Sequence, residues 1–428
     1  MIELTPQQRG CVDKCKEILK RYMLLYLAAE VRCGKTLMSM TVARELGYKR
    51  ILFLTKLKAI GSIEDDLRKS EYQFEKFKIL NYEQMLTPNA PKPEYDLVIL
   101  DEASVLAKYP KPGKITQKVK EICKGRAVLL MSGTPTAESP SQIFHQLWVS
   151  DKSPFSVHAN FYKWFKEYGI PKKLWVNGFQ INSYKLADET KIKEVTKHYM
   201  VTFSQKEAGF ESFVEEHVFN VAIDERMYRL MRVLKKDKVY EMKNGCTILA
   251  DTPVKLQSSF HQISSGTIIA LRGEEKEAHV LDESKVWFIK TKFAGQKIAI
   301  YYKFIAEGEL LRKHFPNHTD DPDEFNKSHN KEFICQIVSG RMGVNLSTAD
   351  WLVMYNIDFS ATSYFQVRAR MQVRDRKKAS KLAWIFSENG IEKYVYKAVT
   401  KKLDFTNDYF KAAVKEMQNQ QLEIHAGK

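Results

Sequence analysis

Long apolar runs are missing from this chain. It has 428 residues with 44% apolar content, yet its nearest candidate, Leu24 to Ala29, falls far short of the roughly 20 residues a membrane-crossing helix needs. The opening residues, MIELTPQQRG, contain no basic stretch followed by an apolar one, so no signal peptide is expected. Cysteine is sparse: six residues, at 11, 15, 33, 123, 246 and 335, with no C-x-x-C pair and no accompanying His cluster. That pattern argues against a disulfide framework and against zinc, and it fits free thiols in a reducing cytoplasm. Internal repeats and low-complexity linkers are absent as well.

Acidic residues are outnumbered. Sixty-eight Lys and Arg face 52 Asp and Glu, a formal net charge of +16. A solvated basic surface accounts for some of this, but an excess of this size points to a polyanionic partner, most often nucleic acid. The basic residues are distributed, from KLK at 56–58 to RDRKK at 374–378. They form a surface rather than a tail.

The apolar content is large enough for two or three domains. Thr5-Pro6-Gln7-Gln8 reads as a capped helix start, followed by helical spacing through Val12, Cys15, Ile18, Leu19 and Tyr22. Short continuous apolar runs at 24–29, 51–55, 97–100 and 127–131 alternate with helical patterns, and the same grammar returns at 298–302, 333–338, 351–355 and 382–386. Runs of this kind predict buried parallel strands with helical crossovers, hence two α/β units. The expected division is 1–150, then an aromatic, irregular extension and linker over 151–213, then 214–428 ending in a C-terminal helix. Residues 224–243 are expected to be helical. Phe161, Tyr162, Trp164, Phe165 and Tyr168 have the spacing of a packed helix face, with base stacking as the alternative.

Three strand ends carry candidate chemistry. The first is Ala29-Glu-Val-Arg32-Cys33-Gly34-Lys35-Thr36, which fits the phosphate-loop pattern [AG]-x4-G-K-[ST] between a strand and a helix. There, backbone N–H groups at a helix start bind phosphate oxygens, Lys35 neutralises the terminal phosphates, and Thr36 ligates Mg²⁺. Arg32 occupies a position often held by Gly. For Cys33, at a helix N-terminus, two readings stay open: a thiolate favoured by the dipole and an inert, packed small side chain. The second is Leu97-Val-Ile-Leu-Asp101-Glu102, where Asp101 is expected to hold Mg²⁺ through water and Glu102 to polarise the attacking water. The third, Ser132-Gly133-Thr134-Pro135, suits a hinge sensing the terminal phosphate.

Together these residues resemble superfamily-two helicases, specifically the Swi/Snf-like branch and its compact bacteriophage members. Leu4-Thr-Pro-Gln7-Gln8 resembles the family's adenine-recognising glutamine motif, with Gln8 as the glutamine. Asn81-Tyr82-Glu83 resembles its short Y-E element. Asp101-Glu102-Ala-Ser104 has Ser where relatives carry His or Asp. Ser339-Gly340-Arg-Met-Gly343-Val-Asn345-Leu346 resembles motif V, and Asp358 through Gln366 to Arg370 resembles the approach to motif VI.

The resemblance implies two RecA-like lobes with ATP and Mg²⁺ between them. It implies a nucleic-acid-dependent ATPase moving along DNA, most plausibly double-stranded, in phage replication, recombination or repair. Thr55 and Lys56, with Ser339, would contact nucleic-acid phosphate, and Gly343 and Asn345 would face the nucleotide. Arg370 and Arg374, one helical turn apart, would stabilise the transferring phosphoryl group, although the family's spacing puts its second arginine at position 373, which is Val here. Two other readings stay open: an RNA helicase, and a basic nucleic-acid-binding protein with a non-hydrolysing ATP fold.

Overall fold

The computed structural model describes residues 3–88, 90–92, 94–136, 139–176, 179–209, 214–337, 346, 348–360, 363–364, 380–401, 410, 413–414 and 416–417. Ser339, Gly340, Gly343, Asn345, Gln366, Arg370 and Arg374 lie outside them, as does most of the expected C-terminal helix. The chain divides into two units, Met1–Glu211 and Ser212–Lys428.

The first unit opens with α1 (Pro6–Tyr22), whose start is the expected capping box of Thr5 and Gln8. Then come β1 (Leu24–Ala29), α2 (Lys35–Glu45), β2 (Arg50–Thr55), α3 (Ile60–Ser70), β3 (Lys76–Asn81), β4 (Leu97–Leu100), α4 (Lys114–Cys123), β5 (Ala127–Met131), α5 (Ile143–Trp148), α6 (Phe161–Tyr168), the hairpin β6 (Lys172–Val176) and β7 (Phe179–Ser183), α7 (Glu189–Thr196) and β8 (Met200–Phe203). Six strands form one parallel sheet in the order β3-β2-β4-β5-β1-β8. Parity along the strands splits its core. Leu24, Tyr26, Leu52, Leu54, Val98 and Leu100 pack towards α5 and α6. Leu25, Leu27, Ile51, Phe53, Leu97 and Ile99 pack towards α1 and α2. A strand covered on both faces must be apolar at every position, which is why these runs are unbroken.

The second unit runs through β9 (Val214–Val221), α8 (Glu225–Asp237), β10 (Val239–Glu241), β11 (Thr247–Leu249), α9 (Pro253–Ser264), β12 (Thr267–Arg272), β13 (Glu275–Val280), α10 (Ser284–Lys292), β14 (Ile298–Tyr302), α11 (Ile305–His314), β15 (His318–Thr319), α12 (Pro322–Lys327), β16 (Glu332–Gln336), β17 (Trp351–Met354), β18 (Ser380–Ser387) and α13 (Glu392–Val399). A second six-stranded parallel sheet has the order β15-β16-β14-β17-β18-β9, and a small antiparallel sheet has the order β10-β11-β12-β13. The fold is α/β with two RecA-like parallel-sheet lobes. Inside the second lobe the buried Lys285 ammonium lies 2.6 Å from Glu392, and Ser387 donates to the same carboxylate through its backbone N–H and its hydroxyl. A buried pair with its remaining lone pairs satisfied fixes α10 against α13.

Three expectations need correction. Residues 224–243 are not one helix: α8 ends at Asp237, Lys238 turns left-handed, and Val239–Glu241 is a strand. Residues 151–213 are not irregular, since they hold α6, the β6–β7 hairpin, α7 and the edge strand β8. The edge strands β3 (KFKILN) and β9 (VEEHVFNV) were not anticipated, because their charged positions hide the run. Charge on an edge strand is itself a device against unwanted pairing. Among the described residues no helix is long and apolar enough to cross a membrane.

Four of the five stripe aromatics are core, and Tyr162 is exposed. Phe161, Trp164, Phe165 and Tyr168 are buried, and Trp164 packs against Phe144, Phe155 and Tyr168. Trp164→Ala is therefore expected to lower unfolding free energy by roughly 3–5 kcal/mol, read from the shift in the urea midpoint. A base-stacking role would leave the midpoint near wild type.

Candidate functional site at the strand ends of the first lobe

Three turns leave the same edge of the first sheet. Strand β5 lies between β1 and β4, all parallel, with Leu130 level with both Tyr26 and Leu100. The turns after β1, β4 and β5 therefore emerge side by side at the carboxyl ends, where open α/β sheets bind ligands.

The turn after β1 is a phosphate loop in conformation. Gly34 caps α2 with φ 81°, and a Cβ there would also collide with the Gln8 amide. Arg32, at the position often held by Gly, has φ 66°. A non-glycine side chain in the left-handed region costs on the order of 1 kcal/mol, so this loop holds strain. Lys35 crosses the loop, its Nζ donating to the carbonyls of Ala29 at 3.0 Å and Glu30 at 3.1 Å. The first N–H groups of α2, from Lys35 onward, have no carbonyl one turn back and point out of the helix start, which suits an anion.

Gln8 braces this loop from α1. Its Oε1 accepts from the Thr5 N–H at 2.9 Å, and its Nε2 donates to the Cys33 carbonyl at 3.0 Å. The second proton on Nε2 remains for another acceptor, so Gln8 can touch a base edge while holding the loop. A second brace escaped sequence reasoning. The Gln205 N–H donates to Glu30 Oε2 at 2.7 Å, and its side-chain amide to the Val31 carbonyl at 2.9 Å. No spacing rule connects residues 175 positions apart.

Cys33 follows the packed reading of the two. Its side chain is buried, and burial pushes its pKa up to about 12, with Lys35 opposing. The helix dipole does not offset the loss of water here. The thiol stays protonated and packs against Leu27, Met38 and Val42.

After β4 the chain places two carboxylates in succession. Asp101 is held on three sides: its N–H donates to the Leu54 carbonyl at 2.8 Å, its carbonyl accepts from Tyr82 Oη at 2.7 Å, and its Oδ2 accepts from Thr55 Oγ1 at 2.8 Å. Thr55 is thus corrected. It has no exposed surface and faces the carboxylate, because β2 pairs with β4 and its last residue abuts Asp101. It is not available to nucleic-acid phosphate. Lys56, the next residue, is half-buried at the start of a short turn and is not so constrained. Glu102 sits at φ 49°, a second strained residue.

The third turn packs against the first. A Cβ on Gly133 would lie 3.4 Å from Val31 and 3.5 Å from the Ala29 carbonyl. Its neighbour Ser132 is buried and hydrogen-bonds Tyr26. Tyr26 Oη donates to Gln146 Oε1 at 2.6 Å, and Gln146 Nε2 donates to the carbonyls of Pro135 at 2.7 Å and Gln142 at 2.8 Å. A closed polar network therefore locks the 132–135 turn to β1 and α5. Tyr26 and Gln146 were invisible in the sequence, since each sits in an apolar run.

The N–H groups at the start of α2, Lys35, the Thr36 hydroxyl and the carboxylate of Asp101 make a set of groups that fits a nucleotide with a hard cation. Burial first, and then Glu102, raise the Asp101 pKa to about 6, while Lys35 and Thr55 oppose.

No protein-family model matches the chain, and no curated protein does. Among solved structures it is similar to the Sulfolobus solfataricus SWI2/SNF2 ATPase core in complex with dsDNA, at 14% identity and a TM-score of 0.41, covering 98% of this chain and 95% of that one.

The raised Asp101 pKa has a stability consequence. Between pH 3.8 and about 6 the folded state keeps a proton that the unfolded state has lost, so this group makes stability fall as pH rises through that window. The penalty is complete above about pH 6 and absent below about pH 4, on the order of 2–3 kcal/mol. Asp101→Asn is expected to raise Tm at pH 7.5 in nucleotide-free buffer and to give a much smaller gain at pH 4. Equal gains at both pH values would refute the assignment.

Proposed function

We propose that this protein is an ATP-dependent DNA translocase or helicase of the superfamily-two type, working in a reducing cytoplasm, that of the bacterial host if it is phage-encoded. One observation supports the reading above the rest: the Gly34-Lys35-Thr36 loop, the Asp101-Glu102 pair and the Ser132–Pro135 turn leave adjacent parallel strands at one edge. That adjacency is what nucleotide hydrolysis at a phosphate loop requires.

In this reading Thr36 and Asp101 would hold Mg²⁺, which would supply neutralisation of phosphate charge. Lys35 leaves the Ala29 and Glu30 carbonyls to pair with the terminal phosphates. Gln8 contacts the adenine edge and passes that contact to the loop through the Cys33 carbonyl. Glu102, fixed by its left-handed backbone, orients the attacking water. Arg370 and Arg374 stabilise charge on the transferred group, and Gly343 and Asn345 line the nucleotide. Lys56 and Ser339 grip nucleic-acid phosphate. The +16 charge supports a sequence-independent, salt-sensitive hold on the polymer.

The test is ATP turnover with double-stranded DNA, single-stranded DNA and RNA. Stimulation is expected, greatest with double-stranded DNA. Lys35→Ala should abolish nucleotide binding, whereas Glu102→Gln should keep binding and lose turnover by orders of magnitude. Arg370→Ala and Arg374→Ala should each cut turnover with little change in ATP or DNA affinity. A basal rate indifferent to every polynucleotide would sink the motor reading, and preference for RNA would replace the substrate.

A further inference from the structure

The small antiparallel sheet of the second lobe has an inverted pattern. Side chains alternate across a strand, and on β13 the covered positions should be apolar. Instead Ala278 and Val280 are exposed, while Glu277 and His279 occupy the covered face. Both are partly exposed; Glu277 is ion-paired with Arg272, whereas His279 Nε2 is left without a hydrogen-bond partner.

Their neighbour is Cys246. It follows Gly245 in the turn between β10 and β11 and is fully buried. The turn is set by hydrogen bonds from the Gly245 N–H to the Met242 carbonyl and from the Cys246 N–H to Asn244 Oδ1. Cys246 Sγ lies 3.3 Å from Glu277 Oε2, and His279 Nε2 lies 3.7 Å from the same oxygen. The three donor atoms fall within 4.8 Å of one another. His279 Nε2 is shielded from solvent yet makes no hydrogen bond. The 3.3 and 3.7 Å separations lie near the edges, roughly 3.3–3.6 Å, of a coordination tetrahedron with Zn–S near 2.3 Å and Zn–N and Zn–O near 2.0–2.1 Å.

We propose that Cys246, Glu277 and His279 form a site for a zinc-class divalent cation that ties the β10–β11 turn to β13, with water at the fourth position. Thiolate, imidazole and carboxylate together select Zn²⁺ over Mg²⁺ or Ca²⁺. Binding replaces the thiol proton, which leaves to solvent, by the metal–sulfur bond. Oε2 of Glu277, which now accepts from that thiol and from Arg272 Nη2 at 3.3 Å, becomes a ligand. Arg272 is the orienting partner: its Nε donates to Glu277 Oε1 at 2.5 Å, and its Nη1 to the Asn244 carbonyl at 3.1 Å. It holds the carboxylate and the turn together while its own charge remains half exposed to water. The sequence discounted zinc because the donors are 31 and 33 residues apart, with none of the short spacing that marks metal knuckles.

The experiment uses the full chain, stripped with chelator and titrated with Co²⁺ and Zn²⁺ alone. Co²⁺ is expected to produce a thiolate charge-transfer band saturating at about one equivalent, and Zn²⁺ to abolish it and raise Tm by a few degrees. Cys246→Ser should lose the band. His279→Gln and Glu277→Gln, which keep side-chain bulk in case Cys246→Ser misfolds, should weaken binding at least tenfold. Cys335→Ser, at the least buried of the six cysteines, should bind as wild type does. No band in wild type, or a band that survives Cys246→Ser and His279→Gln, would overturn the proposal.

Discussion

The candidate site depends on the register of three strands. Because β5 pairs in parallel with both β1 and β4, and Leu130 stands level with Tyr26 and Leu100, three turns open together. Two-sided packing enforces that register: Tyr26 and Leu130 belong to the face under α5, while Leu27 and Leu129 belong to the face under α1 and α2. A slip by one residue would move each side chain to the opposite face. It would also carry Tyr26 away from Gln146 and break the network at the third turn. The hydrophobic core thus fixes where Lys35, Asp101 and Gly133 stand, without touching a substrate itself.

Two of the five described non-glycine residues with left-handed backbone lie at that same edge. Arg32 and Glu102 hold left-handed backbone, and Asp101 is pressed into a setting that resists its ionisation. Each is tolerated because its neighbours over-determine it. Gln205 and Gln8 hold the first turn by backbone carbonyls, and Tyr82, Thr55 and the Leu54 carbonyl hold Asp101. Strain confined to the turns, with unstrained strands beneath, is the pattern of a site preorganised for charge it will meet later.

What the sequence revealed follows from range. The central strands of both lobes were legible because burial on two faces leaves an uninterrupted apolar run, and the α1 cap because Thr5 and Gln8 are three residues apart. Gly34-Lys35-Thr36 and Asp101-Glu102 were legible because their chemistry is contiguous. Charged edge strands such as β3 and β9 were not, since half-exposed positions read as loop or helix. Thr55 was misplaced because its role is set by the strand beside it, and Cys33 stayed open because only its burial decides against the dipole. Cys246, Glu277 and His279 belong together only once β11, β12 and β13 are paired.

The braces share a chemistry. Gln8, Gln146 and Gln205 come from three different segments, and each bridges two or three groups with a single amide or with amide plus backbone. A neutral amide offers a donor and an acceptor at once. A carboxylate at residue 146 could not donate to Pro135 and Gln142, and an ammonium could not accept from Tyr26. Either would also place a full charge among Lys35, Asp101 and Glu102, where low dielectric magnifies it. Glutamine fixes the first and third turns and leaves the field at the strand ends to the residues that must handle phosphate.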